Sequence, residues 1–141
     1  MKFLLLVPVA VLSMMLSAGC GHVGVVEPGG ADRVLTGVVT YASGDPLPEG
    51  AEVMIRVVDL GRGDAHGEVL GEQTIKGPVT PPIPFRIEYR AEDAVLMRRV
   101  NVEARISVGG RLRYTTTTGH PVTLGNFADA HTVEVEFLGR R

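Results

Sequence analysis

The 141-residue sequence predicts an all-β fold, an antiparallel two-sheet β-sandwich of about seven strands. Three observations lead there. Apolar and polar side chains alternate with period two through several short segments, as they do on a strand with one buried face. Clusters of Gly, Pro, Asp and Ser separate those segments. No stretch holds helical periodicity long enough for the crossover helix that parallel βαβ units require.

The first segment, RVLTGVVTY (33–41), ends at the turn-rich SGDPLPEG. AEVMIRVVDL (51–60) sets Val53, Ile55 and Val57 against Glu52, Met54 and Arg56. EVLGEQTIK (68–76) is shorter and more polar, the composition of an edge strand. In PIPFRIEY (82–89), Ile83, Phe85, Ile87 and Tyr89 alternate with Pro82, Pro84, Arg86 and Glu88. Proline has no amide donor, so Pro78, Pro81, Pro82 and Pro84 mark a segment that joins its sheet at an edge. Within RAEDAVLMRR (90–99) a single helical turn is expected, with Ala91, Val95 and Met97 capping one end of the sandwich. The clearest alternation follows: Val100, Val102, Ala104, Ile106 and Val108 on one face, Arg99, Asn101, Glu103, Arg105 and Ser107 on the other. Gly109-Gly110 then joins this run to Leu112, Tyr114 and Thr116, the signature of a tight hairpin. HTVEVEFL (131–138) closes the series with Val133, Val135 and Phe137 expected inward.

The N-terminus reads differently. Met-Lys, an apolar run from Phe3 to Leu16, and Ser17-Ala18-Gly19 form a secretory leader, too short for a retained span of about 20 apolar residues. The sole cysteine, Cys20, comes next. Small residues let a peptidase reach the backbone, and a thiolate is the nucleophile that accepts a diacylglycerol. Ala18, Gly19 and Cys20 are similar to the lipobox of bacterial lipoproteins, although Ser17 stands where leucine is usual. Cleavage between Gly19 and Cys20, with lipidation of Cys20, is therefore expected. Two or three acyl chains, at roughly 0.8 kcal/mol per buried methylene, make a stable anchor. Gly21, rather than Asp, after the cysteine directs such a lipoprotein to the outer membrane of a Gram-negative host, facing the periplasm. The domain plan is a signal peptide (1–19), a lipidated, Gly- and Pro-rich tether (20–32) and the sandwich (33–141).

Composition narrows the function. The formal net charge is −2 and no basic patch points to nucleic acid. One cysteine excludes an intramolecular disulfide, so the core carries stability. Of the four histidines, His22 lies in the tether, His66 in a Gly-rich loop with Asp64 and Glu68, His120 before Pro121 and His131 at the last strand. None forms an HxH or HxxxH pair, so no metal site is expected. No serine sits in a G-x-S-x-G setting. Glu134 and Glu136 share the outward face of a strand, and the TTTT run (115–118) suits β-propensity with hydroxyls facing water. No catalytic residue, metal or cofactor is expected.

VLTGVVTY, AEVMIRVVDL, LGEQTIKGPVTPPIPFRIEY and VNVEARISVGGRLRYTTTTGHPV together resemble the YbaY-like lipoprotein family, which takes in the YscW-type pilotins of type III secretion. The likeness runs from about Val34 to Phe137. It implies a β-sandwich lipoprotein of the bacterial envelope and, for the pilotin branch, a secretin subunit as partner.

The expectation is a non-enzymatic protein held at the membrane by its N-terminal lipid and binding another envelope protein as an assembly chaperone. An exposed sheet edge is the natural device, because its unpaired backbone groups accept an extended peptide. The polar third strand and the terminal strands are candidate edges. The alternative is a small-ligand or envelope-stress module with a cavity between its sheets.

Overall fold

The computed structural model describes residues 32–63 and 65–139. Gly19, Cys20, His22 and Asp64 lie outside them, as do the leader and nearly all of the tether. Eight strands and one helical turn follow in order: β1 (Asp32–Thr40), β2 (Ala51–Asp59), β3 (Glu68–Lys76), β4 (Ile83–Arg90), α1 (Asp93–Leu96), β5 (Val100–Val108), β6 (Arg111–Thr115), β7 (Ala130–Glu134) and β8 (Glu136–Phe137). They form the expected sandwich. A three-stranded sheet, ordered β4-β1-β7, packs on a five-stranded sheet, ordered β3-β2-β5-β6-β8.

Alternation becomes burial almost residue for residue. Ile83, Phe85, Ile87 and Tyr89 are buried while their neighbours on β4 are exposed. Leu35 and Val39 of β1 meet Val53, Ile55 and Val57 of β2 and Val102, Ala104 and Ile106 of β5 in one continuous core. β4 is an edge strand, as its prolines require. Gly109 and Gly110 both have positive φ, 59° and 78°, which fits a type I′ hairpin between β5 and β6.

Four features depart from the sequence reading. The first concerns strand direction: β1 pairs antiparallel with β4 but parallel with β7, Thr36 opposite Ala130 and Thr40 opposite Glu134. Alternation reports which face a residue occupies and carries no information about direction. The irregular stretch after β6 takes the chain back toward the end where β1 begins, so β7 re-enters running the same way. Gly37 permits that pairing, because a Cβ there would lie 2.0 Å from the His131 carbonyl oxygen and 2.8 Å from the Phe85 ring.

The second departure is in the helical turn. Leu96 is buried and Met97 is 77% exposed, so Leu96 rather than Met97 caps the sandwich with Ala91. The turn is only four residues long, and its angular spacing selects 96. Third, β3 carries a bulge: Val57 faces Gly71 and Val58 faces Val69, which leaves Leu70 half-buried against the core. The bulge tips β3 onto β4, where the Arg86 amide donates to Gln73 Oε1 at 2.8 Å. Fourth, the last strand is divided at Val135. β7 belongs to the small sheet, and β8 crosses to pair with β6 of the large one.

Two buried charges fix the end where β1 begins. Arg33 donates from Nε to the Ala91 carbonyl (2.7 Å) and from Nη2 to Asp93 (2.6 Å), with its guanidinium 4.5 Å over the Phe127 ring. Asp59, at the end of β2, is fully buried. It accepts from the Gly61 amide and from Arg98 Nη2, each at 2.8 Å.

Candidate docking cleft

The far end of the sandwich, opposite Asp32, carries a concentration of exposed apolar surface. It arises from the sheet crossing. The Val135 amide donates to the Thr40 carbonyl (2.9 Å), holding the end of β7 to β1. One residue later Glu136 and Phe137 lie opposite Thr115 and Tyr114, and the Leu138 amide donates to the Arg113 carbonyl (2.8 Å). Phe137 therefore sits at the rim of the large sheet rather than between the sheets, and it is 54% exposed. The sequence reading put it in the core; the crossing overturns that.

Three rings stand in series here. Tyr41, just past β1, contacts Tyr114 at a centroid separation of 4.8 Å, and Tyr114 contacts Phe137 at 5.3 Å, both in tilted arrangements favoured by the ring quadrupoles. They wall a cleft of about 510 Å³ that Asp45, Glu134, Val135 and Glu136 complete. Leu112 on β6 and Leu138, just past β8, are also partly exposed. β8 is the last strand of its sheet, so its outer edge is unpaired.

Tyr41 is mostly buried and its hydroxyl donates to the Asp45 carbonyl. Burial, and after it the nearness of Tyr114 and Asp45, raises the Tyr41 pKa above its ordinary value of 10.0. Burial also raises that of Tyr89, against an opposing pull from Arg33. Because the folded values exceed the unfolded one, the native state holds these protons longer. The associated stability is complete below about pH 10 and falls as pH rises through the folded values. Thermal unfolding should be flat from neutrality to about pH 9 and drop beyond about pH 10, with a smaller drop in Tyr41→Phe. A drop of equal size in the variant would remove Tyr41 as a source.

The residues singled out in the sequence do not gather into a site. His66 is exposed, His131 Nε2 lies 3.1 Å from the Asn126 carbonyl, and His120 Nε2 is buried with no partner among the described residues. No group of three His, Cys, Asp or Glu able to hold a metal occurs among the described residues. Thr115 closes β6, the Thr116 amide bonds the Ala104 carbonyl, and Thr117 and Thr118 are exposed. β3 is an edge strand as expected, but β4 leans against it, which leaves β8 the more open edge. Sequence reasoning missed the aromatic series because its members lie far apart in the chain. One local signal was available: Phe137-Leu138 breaks the alternation, so one of the two must face water.

Residues 31–135 match the family model described as type III secretion system lipoprotein chaperone (YscW). A solved structure, that of an alternative pilotin from the type II secretion system of Vibrio cholerae, superposes with a TM-score of 0.69 at 26% identity, covering 78% of this chain and 100% of that one. No curated protein matches. The family match spans β1 through β7, including Tyr41 and Tyr114, and stops before Phe137. With a matched stretch covering well over half of its length, the chain belongs to the YscW family of type III secretion system lipoprotein chaperones.

Proposed function

We propose that this protein is a pilotin: a non-enzymatic, lipid-anchored chaperone that binds a secretin subunit and delivers it to the outer membrane. Membership of the secretion chaperone family carries the reading, and likeness to a pilotin fold supports it. In this reading the leader (1–19) is removed, Cys20 is acylated, and residues 20–32 tether the sandwich to the membrane facing the periplasm. The wider likeness to YbaY-like lipoproteins agrees with that envelope setting.

The mechanism is one of local concentration. An anchor entering at Asp32 leaves the opposite end, with its aromatic cleft and open β8 edge, pointing away from the membrane. A tether confines the cleft near the bilayer, so a weak segment-binding site acquires avidity without further contacts. Exposed Phe137, backed by the half-buried Tyr114, supplies the rigid apolar area typical of interface hot spots.

The test is fractionation of cell membranes from a host expressing the secretin. Deleting this chain should shift the secretin from the outer to the inner membrane. Cys20→Ser should do the same while the chain itself becomes soluble. Unchanged secretin distribution in the deletion strain would refute the pilotin reading, and an unmodified Cys20 thiol by mass spectrometry would refute the anchor.

A further inference from the structure

The docking cleft has a charge pattern that defines what it accepts. Alongside Tyr41, Tyr114 and Phe137 it is lined by three acidic residues, Asp45, Glu134 and Glu136, and by no lysine or arginine among the described residues. Elsewhere on the molecule six acidic residues are ion-paired. Arg33, Arg56, Arg62, Arg86, Arg90 and Arg98 each pair with a carboxylate, those of Asp93, Glu103, Glu68, Glu88, Asp32 and Asp59 respectively. Asp45, Glu134 and Glu136 have no such partner among the described residues, a condition they share with Glu49, Glu52, Glu72, Glu92 and Asp129. What sets the three apart is that they line one cleft together with the exposed ring of Phe137.

Building on the docking reading, we infer that the cleft recognises an arginine side chain within an extended, otherwise apolar segment of the partner protein. Three physical terms converge on that residue. A guanidinium is weakly hydrated and stacks on ring faces, and the exposed ring of Phe137 offers such a face. Glu134 and Glu136 line the same cleft and provide carboxylate acceptors matched to the guanidinium fork. The unpaired edge of β8 takes the main chain of an extended segment, and apolar neighbours of the arginine cover Leu112 and Leu138. A carboxylate-bearing segment would meet three like charges and is rejected.

The experiment uses the full-length protein in detergent micelles and three acetylated, amidated pentapeptides, Val-X-Leu-X-Val, in which X is arginine, its neutral isostere citrulline, or glutamate. Affinity is read by fluorescence anisotropy and position by amide chemical shifts. The arginine peptide should bind about tenfold more tightly than the citrulline one, weaken with added salt, and shift the amides of Tyr114, Glu136 and Phe137. Glu134→Gln with Glu136→Gln, both at exposed positions, should abolish the preference, so that the arginine peptide binds no more tightly than the citrulline one. Equal binding of the arginine and citrulline peptides at the cleft would overturn the charge recognition while leaving the docking reading standing. Shifts confined to another surface would overturn both.

Discussion

Gly37→Ala is expected to unfold a large part of the population at physiological temperature. A Cβ at this position would sit 2.0 Å from a main-chain carbonyl, that of His131, and 2.8 Å from the Phe85 ring. A flexible side chain can turn away, but the carbonyl belongs to the β7 backbone and moves only if β7 separates from β1. That pair holds the edge of the small sheet from Thr36 to Thr40, and the buried Val133 and Val135 leave the core with it. A cost of about 4 kcal/mol is a large part of the total stability of a domain this size, and lowers the melting temperature by roughly 20 °C. Gly125→Ala is the control, since its nearest neighbour would be an ordinary contact of 3.7 Å with Thr123 Oγ1. Circular dichroism melts of the two variants decide the matter. A Gly37→Ala protein within about 1 kcal/mol of the parent would mean that β7 is not held where described.

The second large effect is at Arg98. Asp59 has no solvent exposure, and its two oxygens are served by one backbone amide and one guanidinium. Truncating Arg98 strands a carboxylate in a low-dielectric setting with a single donor. Breaking a buried pair in this way costs about 3 kcal/mol, the lower end of the usual range because the Arg98 side chain is itself about a third exposed. Replacing Asp59 by Asn in the same background removes the orphaned charge, so Arg98→Ala/Asp59→Asn should recover at least about 1 kcal/mol relative to Arg98→Ala alone. Urea midpoints at neutral pH measure both quantities. If the double variant is no more stable than Arg98→Ala, the loss comes from packing along the arginine stem and not from charge.

Much of this architecture was legible in the residues. Period-two alternation placed β2, β4 and β5, Gly109-Gly110 placed the hairpin, and Pro84 placed β4 at an edge. Each of these signals is local, and a strand face or a turn is a local property. What escaped depends on distant partners. The direction of β7 beside β1, the burial of Arg33 beneath Phe127 and the burial of Asp59 beside Arg98 are set by the path of loops. The site divides in the same way. The expectation for Cys20 rests on its immediate neighbours and awaits the chemical test above, while the aromatic cleft draws on positions 41, 114 and 137 and becomes visible only when distant strands meet.

The crossing at Val135 also makes the cleft a joint property of both sheets. Tyr41 continues from β1 of the small sheet, whereas Tyr114 and Phe137 belong to β6 and β8 of the large one. Any slippage of one sheet over the other pulls the three rings apart, so the shape of the cleft depends on the integrity of the whole sandwich.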